Sequence, residues 1–288
     1  MTGLSVVIPT RDKPASLRAT LACLAVSPLA ADEDRVEIRV VDDGEDDGRA
    51  VAEVVGRFES RLNVRRIKGP RRGRAAVRNL GAEDTGHARL LFLDDDILTA
   101  EGFLAAHLAL ADDPGFAHGP LREFPGARRW LEAHADDEDG ELAREAARVL
   151  GGGERLMRGS LEAAILAVDS GRAAVGVPWL ASVGANLAVP RTVFDRVGGF
   201  DEGFGTHWGC EDLELGVRLC DAGCAPVVAH DAAGVHLTHA RPDRWKQHDI
   251  TLTRFRDLHD RADVRALPEL LGEAGSAGRY FARLDRED

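Results

Sequence analysis

Leu90-Leu91-Phe92-Leu93-Asp94-Asp95-Asp96 places four large apolar residues directly before three carboxylates. Such an apolar run predicts a central strand of a parallel sheet, buried on both faces. The acids then follow at its carboxyl end, where open α/β sheets bind their ligands. Three adjacent acids repel one another, so the stretch favours a site for Mg²⁺ or Mn²⁺ shared with substrate phosphates. The alternative is an acidic turn exposed to solvent, since acidic side chains usually lie at the surface.

Composition narrows the class of protein. The 288 residues suffice for one large domain or two small ones, and 37 basic against 49 acidic residues give a net charge of −12. An acidic balance argues against nonspecific nucleic-acid binding. We expect a cytoplasmic protein, because no apolar run is long enough to cross a bilayer and the N-terminus does not resemble a signal peptide. This leaves peripheral contact with a membrane open. The four cysteines predict reduced thiols, with zinc binding through Cys220 and Cys224 as the alternative.

Strands and helices alternate four times before and up to the acidic run. The predicted strands are residues 5–8, ended by Pro9, then 36–41, 63–67 and 90–93. Helices are predicted after residue 14, at 48–58 and at 71–80, the last with Gly81 as its stop. This alternation is typical of an α/β protein with a parallel sheet and crossover helices.

The second half is less regular. Between 124 and 178 the pattern weakens, and the acidic residues 136–140 predict a solvated patch. The glycines at 151–153 follow no strand, so they predict a hinge or lid rather than a phosphate loop. Beyond residue 179 we expect strands at 183–189, 225–229 and 234–238 and helices at 191–197 and from His207, followed by a charged helical tail.

No dinucleotide-binding or P-loop glycine motif is present. Seven short pieces, in order, instead resemble the family 2 glycosyltransferases, which have the GT-A fold. The pieces are Val6-Val7-Ile8-Pro9-Thr10, Val41-Asp42-Asp43-Gly44, Gly73 with Arg78-Asn79-Leu80-Gly81, Leu93-Asp94-Asp95-Asp96, Gly184-Ala185-Asn186-Leu187-Ala188-Val189, Gly198-Gly199-Phe200-Asp201-Glu202 and Trp208-Gly209-Cys210-Glu211-Asp212-Leu213-Glu214-Leu215.

The resemblance implies a Rossmann-like, mostly parallel central sheet flanked by helices, with a small second sheet and C-terminal helices. It divides the chain into a nucleotide-sugar-binding half (1–123), a variable insertion or lid (124–178), an acceptor and catalytic half (179–240) and a helical extension (241–288). The implied reaction is inverting transfer of a sugar from a nucleotide-diphosphate sugar to an acceptor hydroxyl. UDP-sugar is the expected donor, with dTDP- and GDP-sugars left open. The acceptor, which could be a glycan, a lipid-linked group, a protein or a small molecule, is not identified.

The resemblance also implies roles for matched positions on the donor side. Asp42 would contact the base, Asp94 the ribose or donor sugar, and Arg78 the diphosphate, as arginine forks do. Arg78 shares a predicted helical face with Arg71 and Arg74. An alternative role for Asp42 is that of a turn-former before Gly44. The full set of expected donor-binding residues is Pro9, Thr10, Arg11, Asp42, Arg78, Asp94 and Asp95.

The expected metal ligands are Asp96 and a histidine, with Mn²⁺ or Mg²⁺ as the ion. We favour His236 over His239, although a histidine at a strand end can be purely structural. Asp212 is the expected general base, because an inverting transfer needs a carboxylate to take the acceptor proton. Asp212 lies near the start of a predicted helix whose dipole favours its ionised form, and helix capping alone is the alternative role. Glu211 and Trp208 would contact the acceptor.

Two other functions compete with this one. A noncatalytic nucleotide-sugar or glycan-binding module would not need Asp212, and a nucleotidyltransferase would need a phosphate loop that 10–13 do not supply. Processive synthases of the family carry Gln-x-x-Arg-Trp, whereas this chain has Arg241 at the Gln position before Arg244 and Trp245. We therefore expect transfer of one or a few sugars.

Overall fold

The computed structural model describes residues 3–45, 48–173, 176–240 and 243–286. Within these ranges the chain forms ten strands and thirteen α-helices. The strands are β1 (Leu4–Thr10), β2 (Val36–Asp42), β3 (Val64–Lys68), β4 (Arg89–Leu93), β5 (Ile97–Thr99), β6 (Phe116–His118), β7 (Leu121–Phe124), β8 (Asn186–Pro190), β9 (Pro226–Val228) and β10 (Gly234–Leu237). The helices are α1 (Pro14–Leu24), α2 (Arg49–Gly56), α3 (Arg74–Ala82), α4 (Phe103–Ala109), α5 (Ala127–Ala133), α6 (Asp139–Arg148), α7 (Ser160–Asp169), α8 (Arg191–Val197), α9 (Glu211–Asp221), α10 (Arg244–Leu258), α11 (Ala262–Arg265), α12 (Pro268–Leu271) and α13 (Ala277–Leu284).

The central sheet has the strand order β3-β2-β1-β4-β8-β6-β9. Strands β1 to β4 are mutually parallel, while β8 runs antiparallel to both β4 and β6. In β4, Leu91 and Leu93 pack into one core and Leu90 and Phe92 into the core on the opposite face. This explains the uninterrupted apolar run, and it brings the carboxyl ends of β1, β2 and β4 to one edge. The expected α/β architecture is confirmed.

Strand β1 continues through Pro9, contrary to the prediction that this residue ends it. The pairing of β1 with β4 stops at Val7, whereas its pairing with β2 continues to Thr10. Proline has no N–H to donate, so it is tolerated where one neighbouring strand has left.

A second sheet has the order β5-β10-β7, antiparallel between β5 and β10 and parallel between β10 and β7. His236, in the middle strand, pairs in register with Ile97 on one side and Glu123 on the other. Strands β5 and β7 were not predicted, because three or four residues are too few to show an alternating pattern. This small sheet begins immediately after Asp96 and so adjoins the acidic run.

The weakly patterned region between 124 and 178 contains helices α5, α6 and α7. Its acidic patch is not fully solvated: Asp139 is buried and its carboxylate contacts the guanidinium groups of Arg18, Arg57 and Arg61 at 2.9, 3.1 and 2.8 Å. The prediction treated these acids as surface charge, because the three arginines lie far away in sequence. The pairs fasten α6 to α1 and to the segment that directly follows α2.

Two predicted helices had wrong boundaries. Helix α3 begins after Gly73, so Arg71, with φ +57°, lies outside it and does not share a helical face with Arg74 and Arg78. Gly81 does not stop α3 but lies inside it, where a Cβ would come within 2.3 Å of Val7 Cγ1. The glycine therefore permits close contact between the helix and the sheet.

The other helix with a wrong boundary is α9, which begins at Glu211 rather than His207. Cys210, with φ +70°, interrupts helical geometry immediately before it. All four cysteines are free thiols. Within the described residues, no helix combines the length and apolar character needed to cross a membrane. Arg241, the residue in place of the processive-synthase glutamine, lies outside the described residues.

Candidate active site

A cleft of about 370 Å³ opens at the carboxyl edge of β1 and β4. Parallel strands direct their carboxyl ends to this edge, so residues distant in sequence meet there. The cleft is lined by five of the expected donor-binding residues and by Trp208. Its lining consists of Pro9, Thr10, Arg11, Lys13, Asp43, Gly73, Arg74, Val77, Asp94, Asp95, Thr206, Trp208, His239 and Gln247.

Asp96 lies beneath this cleft between two histidines. Its Oδ1 is 3.4 Å from His236 Nε2, and its Oδ2 is 3.3 Å from His239 Nδ1. The ligand atoms of the three residues lie within 4.8 Å of one another, and among the described residues this is the one such group of potential metal ligands. Because no hydrogen-bond donor of the described chain satisfies the buried Asp96 Oδ1, the group fits a divalent cation. The structure thus brings both candidate histidines to Asp96.

The other two acids of the run have different partners. Thr10 Oγ1 donates to Asp95 Oδ2 at 2.6 Å, and Lys13 Nζ lies 2.7 Å from Asp96 Oδ2 and 3.7 Å from Asp95 Oδ1. Burial and the neighbouring Asp96 carboxylate raise the pKa of Asp95 to about 7. Lys13 therefore offsets part of the acidic charge, a role that sequence reasoning missed.

Arg78 joins the two halves of the site. Its Nη2 donates to Asp94 Oδ1 at 2.9 Å and its Nη1 to Glu211 Oε1 at 2.8 Å. The side chain is 2% exposed and does not line the cleft. Gly184 permits this position, since a Cβ there would lie 3.0 Å from the guanidinium carbon. The structure therefore places Arg78 behind the acids and outside the lining of the cleft.

Asp212 is held by backbone groups at the start of α9. Its Oδ2 accepts from Gly184 N and its Oδ1 from Leu213 N, both at 2.9 Å. Burial, followed by the neighbouring Glu211 carboxylate, raises the pKa of Asp212 to about 6. Desolvation thus dominates the shift, and with a pKa of about 6 the group is still mostly a carboxylate at neutral pH.

Asp42 was expected to contact the donor base, but its neighbour Asp43 is the one that lines the cleft. The Asp42 carboxylate contacts Arg66 Nη2 at 2.7 Å and accepts from Gly44 N at 3.1 Å, and it does not line the cleft. Asp43 does line the cleft, and its Oδ1 accepts from Arg71 N. Alternation along an extended chain puts neighbouring side chains on opposite sides, and only the register of β2 reveals which one faces the site.

One aromatic side chain, that of Trp208, belongs to the lining of the cleft. The Arg244 guanidinium carbon lies 4.9 Å from the Trp208 ring centre and 5.0 Å from that of Trp245. Gln247 Oε1 accepts from Trp208 N at 3.1 Å. Contacts from the first turn of α10 thus fix the position of Trp208.

The sequence model described as glycosyl transferase family 2 matches residues 5–148, half of the chain. The chain belongs to glycosyl transferase family 2. A second model, described as the N-terminal domain of galactosyltransferase, matches residues 172–241. Together the two matches contain the acidic run, Asp212 and both histidines.

Among curated relatives, validoxylamine A glucosyltransferase of Streptomyces hygroscopicus subsp. jinggangensis is 31% identical over 96% of this chain and 65% of its own length. The same-named protein of subspecies limoneus is also 31% identical, and 60% of its length is covered. Chondroitin synthase of Escherichia coli is 29% identical over 77% of this chain and 33% of its own. The chain therefore spans 60 to 65% of the length of the two glucosyltransferases that it matches.

Solved structures confirm the GT-A fold. Mannosyltransferase PcManGT from Pyrobaculum calidifontis, in complex with GDP-Man and Mn²⁺, has a TM-score of 0.60 and 18% identity over 98% of this chain and 74% of its own. GalNAc-T7 with UDP, GalNAc and Mn²⁺ has a TM-score of 0.59 and 14% identity over 99% of this chain and 54% of its own.

Proposed function

We propose that this chain is a metal-dependent, inverting glycosyltransferase that moves a sugar from a nucleotide-diphosphate sugar to an acceptor hydroxyl. One observation carries the proposal: Arg78 links Asp94, which lines the cleft, to Glu211, which adjoins Asp212. One buried side chain thereby holds a donor-side carboxylate and the immediate neighbour of the base candidate, beside a group of potential metal ligands. Family membership supports the same reaction class.

The donor nucleotide enters the part of the cleft formed by Pro9, Thr10, Arg11 and Asp43. Asp43 replaces Asp42 as our candidate for the base contact, because Asp43 faces the cleft and Asp42 is paired with Arg66. UDP is the proposed nucleotide, and UDP and GDP-Man are present in two structures of similar fold. Asp94 and Asp95 contact the ribose or the donor sugar.

Asp96, His236 and His239 would hold the cation, which supplies positive charge to the diphosphate leaving group. Two imidazoles and one carboxylate form a mixed nitrogen and oxygen set, whereas Mg²⁺ prefers oxygen ligands. We therefore favour Mn²⁺ over Mg²⁺. Both structures of similar fold described above contain Mn²⁺.

Asp212 accepts the acceptor's hydroxyl proton in this proposal. A base works best when its pKa lies near the working pH, and the pKa of Asp212, raised to about 6, meets that condition. The two N–H groups that it accepts fix the carboxylate in place. Trp208 offers an apolar face to the acceptor sugar, and Glu211 a hydrogen bond to an acceptor hydroxyl. A noncatalytic binding module would not require a base with this pKa.

A donor panel tests the function. UDP-, GDP- and dTDP-sugars are incubated with the protein and simple sugar acceptors, with Mn²⁺ or with EDTA, and released nucleoside diphosphate is measured. We expect Mn²⁺-dependent release from one nucleotide class, above the rate with Asp212→Asn. NMR of the new glycosidic bond then reports inversion. Release that is equal in EDTA would contradict metal dependence, and retained configuration would contradict the role of Asp212.

A further inference from the structure

We propose that Glu123 is a positioning residue for the metal site, which orients His236 so that its Nε2 faces the cation. Glu123 lies in β7, beside the strand that carries His236, and their registered positions are direct neighbours. On the other side of that strand, β5 follows directly after Asp96. The second sheet therefore places Ile97, His236 and Glu123 side by side on three adjacent strands, with Asp96 directly before the first of them.

The hydrogen bonds of Glu123 define its role. His236 Nδ1 lies 2.9 Å from Glu123 Oε2, and His236 Nε2 lies on the side of Asp96. An imidazole that donates through Nδ1 leaves Nε2 as its coordinating nitrogen, and such carboxylate partners typically tune metal affinity about 10- to 100-fold. Thr238 Oγ1 donates to the same carboxylate oxygen at 2.7 Å. Both donors converge on Oε2, so this oxygen is engaged by side chains rather than directed at the cation.

Glu123 is also held through its main chain. Its N–H and C=O exchange hydrogen bonds of 2.8 and 2.9 Å with Met157, in addition to the pairing of β7 with β10. The backbone that carries this carboxylate is therefore hydrogen-bonded on both sides, to Met157 and to β10. A side chain on such a backbone can keep the His236 ring in one orientation, and a preorganised metal ligand requires a fixed orientation.

This inference rests on the metal site of the proposed function, but its test needs neither donor nor acceptor. Mn²⁺ is titrated into the full chain, and free Mn²⁺ is counted from its EPR signal. We expect Glu123→Ala to weaken Mn²⁺ binding about 10- to 100-fold. Glu123→Gln should weaken it less, because the amide oxygen can still accept from His236 Nδ1. The melting temperature of each metal-free variant reports any loss of folding separately.

Asp169→Asn is the matched control, because Asp169 also contacts a histidine, His230, at 3.2 Å but lies away from the metal group. Its Mn²⁺ affinity should equal that of the wild type, whereas Asp96→Ala should abolish binding. Wild-type affinity in a folded Glu123→Ala variant would overturn the proposal, as would a Gln variant no better than the Ala variant. If Mn²⁺ binding depends on Glu123 but no donor is consumed, the proposed function fails while the role of Glu123 stands.

Discussion

Asp212 and Glu211 are neighbours in sequence, yet their carboxylates have different partners. Both oxygens of Asp212 accept backbone N–H groups, whereas Glu211 Oε1 accepts from Arg78 and its Oε2 has no hydrogen-bond partner among the described residues. Glu211 is thus fixed to a permanent cation, which suits a structural or binding role. Asp212 remains free of a direct ion pair within the described chain and can exchange a proton.

Changing Asp212 to Asn should lower sugar transfer about 10²- to 10⁴-fold, the usual cost of losing a general base. Donor binding should stay near the wild-type level, because the donor-side residues belong to other elements. The amide nitrogen cannot accept an N–H, so one of the two backbone bonds of Asp212 is lost and the melting temperature must be measured as well. Turnover is read from product formation and donor affinity from calorimetry.

The comparison variant is Glu211→Gln, which keeps size and removes only charge. Transfer at the wild-type rate by Asp212→Asn with an inactive Glu211→Gln would show that we have named the wrong acid. Activity in both variants would rule out the mechanism assigned here.

The pH dependence of kcat/KM should show an acid limb near pH 6. Burial and then Glu211 raise the pKa of Asp212 to about 6, while Arg78 acts in the opposite direction. A base works when deprotonated, so activity is full above this pKa and falls as the pH drops below it, about tenfold per unit. Initial rates between pH 5 and 8 at saturating Mn²⁺ measure the limb. A flat profile down to pH 5 would exclude a base with this pKa.

At the scale of elements, Asp139 joins α6 to α1 and to the segment that directly follows α2. Its loss leaves the Arg18 guanidinium, 11% exposed, without its carboxylate partner. Breaking a buried pair from one side typically costs about 3–5 kcal/mol, so Asp139→Asn should lower the free energy of unfolding by about 3 kcal/mol. Urea denaturation measures the change. Asp136→Asn, at an exposed position in the same acidic run, should change stability by less than about 0.5 kcal/mol.

The glycines at 151–153 belong to an exposed segment that precedes the Met157 bridge to Glu123. We expect this segment to close over bound donor and exclude water, which would otherwise hydrolyse the sugar nucleotide. Trypsin should therefore cut after the exposed Arg155 and Arg158 in the free protein, and more slowly with UDP and Mn²⁺. Cleavage after Arg286, near the C-terminus, is the control that ligand should not change. Absent or unchanged cleavage at the first two sites would refute the lid.

At the scale of the whole molecule, the sequence predicted the α/β class and the acidic edge of the sheet, because long apolar runs and strand-terminal acids leave a local pattern. Of the fourteen residues that line the cleft, six were among the predicted site residues. Glu123 and Lys13 left no such signal. Glu123 lies in a four-residue strand, and Lys13 is recognisable only once β1 and β4 lie side by side.

For some residues the local sequence pattern predicted the wrong environment, and contacts with distant parts of the chain explain why. The sequence around Asp139 predicts an exposed acid, but its carboxylate forms ion pairs with three arginines that are distant in sequence. Gly81 resembles a helix stop, but it marks a close contact between a helix and the sheet. In each case the deciding partner lies more than 60 residues away in the chain.

Our central claim is that a cation held by Asp96 binds a nucleoside diphosphate in this cleft. Calorimetry tests it most directly: UDP, GDP and dTDP are titrated into the wild type with Mn²⁺, into the wild type with EDTA, and into Asp96→Ala with Mn²⁺. We predict that one nucleotide binds the wild type with Mn²⁺ and that most of this signal is lost under the other two conditions. Equal binding under all three conditions, or no binding of any nucleotide to the wild type with Mn²⁺, would contradict the claim.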